Sequence, residues 1–213
     1  MTPDKNNQPG HYYVREPAVR SQPRELRARL AGHDLVLTTD RGVFSHGKLD
    51  RGTKLLAETV EIPAGARVLD LGCGYGVLGI VAALEEPTCC VTMTDVNSRA
   101  CSLAKRNAQA NGAGCIEVIN GDAREVLAGR DFDLILINPP IRSGRENVLR
   151  LFRWCASTLA PGGELWCVIQ TNKGARRYAR DLEQWFGFIE TVRISGGYRI
   201  FRAREPRQDE QPG

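Results

Sequence analysis

The sequence predicts an α/β domain: a mostly parallel sheet with helices on both faces and an antiparallel hairpin at its carboxyl end. Three observations carry that reading. Strand-like and helix-like stretches alternate from residue 67 to residue 186. The strand stretches are nearly unbroken apolar runs, as strands buried on both faces must be. Two closing strand stretches face each other across Ser195-Gly196-Gly197, a turn too short for a parallel crossover.

The elements follow in order. Pro3, Pro9, Pro17 and Pro23 lie among polar residues, so residues 1–30 are expected to form a loosely held arm. Residues 33–44, HDLVLTTDRGVF, alternate as a short hairpin turning near Asp40-Arg41-Gly42. Residues 50–60 form an amphipathic helix that stops before Pro63, closing an N-terminal hairpin-and-helix unit over 31–60. RVLDL (67–71) is the first strand of the alternation, and a glycine-rich turn leads to a helix over 77–86. CCVTMTD (89–95) is a strand, followed by a helix over 97–111 that ends at Asn111-Gly112. Strands are expected at 115–119 and 132–137, and a helix at 145–159 stopping at Pro161-Gly162-Gly163. A strand at 164–170, a helix at 174–186 and strands near 188–194 and 198–204 complete a domain over 31–204. Residues 205–213 read as a flexible polar tail.

Composition narrows the function. The chain has 213 residues, 42% of them hydrophobic, enough for one domain with a full core. No apolar run approaches the ~20 residues that cross a bilayer. The first residues lack the apolar centre of a secretory signal, so the expected location is the cytoplasm. Seven cysteines include no CxxC pair and the three histidines show no ligand spacing, so reduced thiols and no metal are expected. The net charge of +4 does not demand a nucleic-acid partner. Of 29 basic residues 24 are arginine, the side chain suited to forked phosphate contacts, although codon bias gives the same count.

The first chemical motif is DLGCGYGVLG (70–79), where a strand gives way to a helix. Gly72, Gly74 and Gly76 remove Cβ atoms that would keep a ligand from the backbone. The helix end beyond them offers free N–H groups. Residues 74–79 also satisfy GxGxxG, which brings a dinucleotide site into consideration. Asp95 closes the second strand of the alternation, where a carboxylate can accept both hydroxyls of a ribose. Asp122 follows the third and is placed to take an adenine amino group or to cap a turn.

The second motif is Asn138-Pro139-Pro140-Ile141, directly after the strand 132–137. Two prolines remove two donors and stiffen the turn, so carbonyl groups face whatever sits above it. An exocyclic amino group on a base is a weak nucleophile because its lone pair is delocalised into the ring. Holding its two N–H bonds at the Asn138 side chain and the Pro139 carbonyl would aim that lone pair. The chemistry is then in-line displacement driven by positioning, without a strong base.

These motifs, with His11-Tyr12-Tyr13, Gly32-His33-Asp34, Gly42-Val43-Phe44-Ser45, Asp50-Arg51-Gly52-Thr53 and Pro161-Gly162-Gly163, resemble the small-domain methyltransferase superfamily. That superfamily includes the bacterial small-subunit ribosomal RNA guanine-N2 methyltransferases, and the resemblance is to their short single-domain relatives. It implies the Rossmann-like class I fold with seven strands, S-adenosylmethionine (SAM) as methyl donor, and methylation of a guanine amino group in ribosomal RNA. It implies a catalytic turn of Asn138, Pro139, Pro140 and Ile141. Cofactor contacts fall to Asp70, Gly72, Cys73, Gly74, Gly76, Asp95, Val96, Asp122, Ala123 and Asn138. Phe44, Arg142 and Arg145 are the substrate contacts, and Asp50 and Thr53 lie beside the cofactor or simply cap helix 50–60. Lys173, Arg176, Arg177 and Arg180 form a second basic strip, for RNA or for solvent. The expected partner is ribosomal RNA or the small subunit, met by a monomer away from any membrane.

Two departures bear on the substrate. The ribosomal enzymes carry a second, degenerate N-terminal domain, which is not expected within these 213 residues. Many of them also carry an aromatic residue after Asn-Pro-Pro, where this chain has Ile141, losing a stacking contribution of ~1–3 kcal/mol per base. Asn-Pro-Pro enzymes also methylate protein glutamine amides and free metabolites, so a glutamine amide or a small-molecule amine is the alternative acceptor. A non-catalytic nucleoside-binding module and a nicotinamide oxidoreductase explain fewer of these residues.

Overall fold

Apolar runs that cannot face water pair with one another, and the computed structural model, which describes residues 19–207, shows how. A hairpin of β1 (Arg24–Leu30) and β2 (His33–Thr39) precedes α1 (Arg51–Ala57). The alternation then runs β3 (Arg67–Leu71), α2 (Val77–Glu85), β4 (Cys90–Asp95), α3 (Ser98–Ala110), β5 (Ile116–Asn120), a short α4 (Ala123–Val126) and β6 (Phe132–Ile137). It closes with α5 (Arg145–Thr158), β7 (Leu159–Gln170), α6 (Ala175–Leu182), β8 (Phe186–Ser195) and β9 (Tyr198–Pro206).

Seven strands form one sheet in the order β5-β4-β3-β6-β7-β9-β8. β5, β4, β3, β6 and β7 are mutually parallel, while β9 runs antiparallel to both β7 and β8. This is the class I methyltransferase arrangement expected above. Along β3 the two faces alternate: Val68 joins the core under α1, α2 and α3, while Leu69 and Leu71 join the core under α5 and α6. After β3 the chain first builds outward through β4 and β5, then returns to the other side with β6. That reversal opens a crevice beyond the carboxyl ends of β3 and β6, where open α/β sheets bind ligands.

The N-terminal hairpin lies elsewhere than expected. It pairs Arg24–Leu30 with His33–Thr39 across Ala31 and Gly32, both at positive φ, so residues 24–30 are a strand and not part of an arm. A two-residue turn of this kind matches the strand twist. Asp40-Arg41-Gly42 instead ends β2: the buried Asp40 carboxylate accepts Ser21 Oγ at 2.6 Å, Gln22 N–H at 2.5 Å and Arg41 N–H at 2.7 Å. Pro161-Gly162-Gly163 does not interrupt the chain either. It is a bulge within β7, where the register against β6 jumps from Phe132–Leu159 to Leu134–Glu164. A Cβ on Gly163 would lie 3.0–3.1 Å from three carbonyl oxygens, so only glycine fits there. β9 extends through Glu205 and Pro206, into the expected tail. His11, Tyr12, Tyr13 and the last six residues lie outside the described residues.

Candidate active site

The crevice is a cavity of about 250 Å³. Asp70, Gly72, Cys73, Gly74, Asp95, Val96, Asp122, Ala123, Asn138, Pro139, Pro140 and Phe44 all line it, as do Asp50 and Thr53. Strand ends bring them together: β3 delivers the glycine loop, β4 Asp95, β5 Asp122 and β6 Asn138. Four aspartates and one arginine, Arg124, are its charged lining residues, so the cavity favours a cation.

Gly72 (φ +72°) and Gly74 (φ +56°) sit in backbone that side chains rarely adopt, and nothing lies within 4 Å of where their Cβ atoms would be. They leave the loop open to a ligand. Gly76 serves a different end: a Cβ there would meet Ala104 at 3.1 Å and Met93 at 3.3 Å, so it lets α2 start against α3 and β4 and does not line the cavity.

The three acidic positions differ. Asp70 is fully buried, and its Oδ2 accepts the Gly79 N–H of α2 at 2.9 Å. Burial pushes its carboxyl up to about 7, the Gly79 bond opposes this and the charge of Asp95 adds to it. Asp95 accepts Gly74 N–H at Oδ2 and Asn97 N–H at Oδ1, both at 2.9 Å, so it holds the glycine loop while facing the cavity. Burial raises its pKa against those two bonds. Asp122 caps α4 through Arg124 N–H at 3.0 Å and is forked by the Arg124 guanidinium. Cys73 stays a thiol, because its hydrogen bond with Cys101, its burial and the nearby carboxylates push its pKa well up.

Asn138 directly follows the carboxyl end of β6, with its amide nitrogen 3.0 Å from both Asp50 Oδ2 and Thr53 Oγ1. Beyond it Pro140 (φ −75°, ψ 70°) centres an inverse γ-turn in which Pro139 O accepts Ile141 N–H at 2.8 Å. A carbonyl has two lone pairs, so Pro139 O keeps one for a ligand. Pro140 O takes both the backbone N–H and the hydroxyl of Ser143, at 2.9 Å and 2.7 Å, and so braces the turn.

Other expected residues stand apart. Ile141 packs against the α5-side core and does not line the cavity. Arg145 is paired with Asp181 of α6, which is buried, so its guanidinium ties α5 to α6. Arg142, Lys173, Arg176, Arg177 and Arg180 are exposed. Lining residues that the sequence did not disclose include Tyr75, Asn97 and Asn147. Asn97 had a local signal as the N-cap of α3, and it also donates to Gly42 O at 2.7 Å. Tyr75 donates its hydroxyl to Lys48 O at 3.0 Å. These bonds and the Asn138–Asp50 contact pin the segment 42–50 over the cavity, leaving Phe44 42% exposed at its rim. Among the described residues no His, Cys, Asp and Glu group is placed to hold a metal, and no helix is long and apolar enough to cross a membrane.

Ribosomal RNA small subunit methyltransferase C of Pseudomonas aeruginosa (strain UCBPP-PA14) is 35% identical over 193 residues, covering 89% of this chain and 57% of the relative. YbxB of Bacillus subtilis (strain 168) is 37% identical over 197 residues, covering 92% of this chain and 98% of that one. The solved T. thermophilus 16S rRNA N2 guanine methyltransferase RsmC, in complex with AdoMet and guanosine, superimposes with a TM-score of 0.78 at 27% identity. That match covers 89% of this chain and 52% of RsmC, so the chain spans just over half the length of the two named ribosomal enzymes. Residues 34–202 match the methyltransferase small domain, and the chain belongs to that family.

Proposed function

We propose that this chain methylates the exocyclic amino group of a guanine in small-subunit ribosomal RNA, in the cytoplasm. By family it is a SAM-dependent methyltransferase. The cavity fits that cofactor: its backbone is open at Gly72 and Gly74, and its acidic lining suits a cationic nucleoside. Asp95 is the ribose acceptor, with Gly72, Cys73, Gly74 and Val96 beside it. Asp122 and Ala123 border the adenine.

When bound, SAM supplies an electrophilic methyl group on a sulfonium sulfur. Asn138 Oδ1 and the free lone pair of Pro139 O hold the two N–H bonds of the target amino group; both protons stay on nitrogen until the methyl bond has formed, and one then passes to solvent to leave the neutral secondary amine. The nitrogen lone pair is then the part left facing the donor. Phe44 supplies an aromatic face at the rim for the base, a role that Ile141 in its core position does not fill. Arg142, exposed beside the turn, meets phosphate.

The observation that carries this reading is the Asn138-Pro139-Pro140 turn opening into the same cavity as the glycine loop. Radiolabelled SAM should be offered to ribosomal RNA, isolated small subunits and total protein, followed by nucleoside analysis. Label in N2-methylguanosine is the expected result. Label in glutamine amides or in a small amine, with none in RNA, would overturn the RNA assignment.

A further inference from the structure

An asparagine at a strand end can present either edge of its amide to a cavity. The two choices exchange an acceptor for a donor. A donor facing an amino group gives no hydrogen bond and no aim, so the orientation of Asn138 decides whether the turn works. We propose that Asp50 and Thr53 are positioning residues that fix this orientation, turning the Asn138 NH2 group inward and its carbonyl oxygen toward the reacting amino group. The proposal rests on Asn138 being the acceptor described above.

Hydrogen-bond chemistry carries the argument. An ionised carboxylate only accepts, so the amide atom 3.0 Å from Asp50 Oδ2 must be nitrogen. The single hydroxyl proton of Thr53 goes to the same Asp50 Oδ2, at 3.2 Å, which leaves Thr53 Oγ1 as an acceptor. That acceptor takes the second N–H of Asn138, also at 3.0 Å. Both donors of the amide are thereby used, and Oδ1 is left on the opposite edge. A carboxylate on the nitrogen side also polarises the amide and strengthens Oδ1 as an acceptor.

The local fold holds the pair in place. Asp50 is the N-cap of α1, accepting Thr53 N–H at 2.8 Å, so the cap bond aims the carboxylate that Asn138 meets. Gly52 allows the fit: a Cβ there would lie 2.9 Å from the Tyr198 ring and 3.1 Å from Asp50 Oδ2. Capping alone would need Asp50 and the backbone of residue 53, but not the Thr53 hydroxyl.

Two measurements on the full chain test this. In nitrogen-labelled protein the Asn138 side-chain NH2 signals are identified by their loss in Asn138→Ala. They should be shifted and slow to exchange in the wild type, move to ordinary positions in Thr53→Val and in Asp50→Ser, and stay in place in Thr53→Ser. Serine at 50 remains an N-cap but is too short to reach Asn138. In single-turnover transfer from labelled SAM to small ribosomal subunits, Thr53→Val should lower the rate about tenfold at saturating SAM, as loss of one hydrogen bond implies. Thr53→Ser should restore it, SAM affinity should not move, and Thr53→Val should add no further loss to Asn138→Ala. The proposal is overturned if the NH2 signals are ordinary in the wild type or unmoved by Thr53→Val. It is equally overturned if Thr53→Val costs the same with and without Asn138. Full-rate transfer by Asn138→Ala would sink the catalytic reading instead, and the resonance result would still decide the orientation.

Discussion

Raising the pH through 7 should strengthen SAM binding, and Asp70 should be the reason. This carboxyl is 1% exposed, and burial carries its pKa from the usual 3.8 to about 7. Below about 3.8 both the folded and unfolded chains hold its proton. Between 3.8 and about 7 only the folded chain does, so the stability this group contributes is lost as the pH rises through that window. The difference corresponds to about 4 kcal/mol above pH 7. SAM brings a sulfonium and an ammonium into a cavity lined by four aspartates, and a cation there favours ionised Asp70. Binding should therefore release a proton below pH 7, with affinity rising by up to about tenfold per pH unit before levelling off. Calorimetry between about pH 6 and pH 8, in buffers of different ionisation enthalpy, reads both quantities. Asp70→Asn keeps an acceptor for Gly79 N–H and should flatten the profile, while the ligand-free variant melts higher than wild type at pH 8. A wild type with equal affinity at both ends of that range, and no proton release, would refute this account of Asp70.

Asp95→Ala removes the anchor of Gly74 as well as the proposed ribose acceptor, so SAM affinity should fall by roughly 1.5–3 kcal/mol or more, and unchanged affinity by calorimetry would refute the assignment. Asn138→Ala should leave SAM affinity near wild type and lower the single-turnover rate on the order of a hundredfold; a near-normal rate would mean that Asn138 serves only the turn. Arg142→Ala should weaken RNA binding and reduce its salt slope by about one, without touching SAM affinity, and an unchanged slope would show that Arg142 meets no phosphate. Arg145→Ala should behave differently, costing about 1–3 kcal/mol of stability by leaving buried Asp181 unpaired while the salt slope holds.

The parallel sheet was legible because its strands cannot be anything else: FDLILI has no polar face to expose, and β6 lies between β3 and β7. The hairpin was displaced because Asp40-Arg41-Gly42 carries the usual turn residues, whereas the true turn begins with Ala31, at φ 46°. Alanine gives no warning of such a backbone. At residues 161–163 the reverse happened, since residues that normally stop a chain form a bulge in which crowding by carbonyl oxygens leaves Gly163 no room for a side chain. In the site, the glycine loop and the Asn-Pro-Pro turn could be read because their chemistry is contiguous. Asn147 could not be, because its place depends on how α5 packs beside the turn, where its NH2 donates to Ser143 Oγ at 3.0 Å. Arg145 misled for the same reason: its partner is 36 residues away on another helix.

The carboxylates show why a structural and a functional role at one residue are seldom exclusive. A carboxylate has about four acceptor positions, and a backbone N–H occupies one. Asp95 spends two on Gly74 and Asn97, which leaves capacity for the paired hydroxyls of a ribose. The two bonds also fix the carboxylate before any ligand arrives, so binding costs little side-chain entropy. Asp50 takes this further, with three donors converging on Oδ2: the cap bond, the Thr53 hydroxyl and the Asn138 amide. Asp122 is the contrasting case. Its cap bond and the Arg124 fork engage both oxygens, so an adenine amino group must share them with a guanidinium. Asp122→Ala should then cost less SAM affinity than Asp95→Ala, because part of what is lost on binding is a contact the free protein already had. If the two substitutions weaken SAM equally, Arg124 swings aside when the cofactor binds, and Asp122 contributes as fully as Asp95.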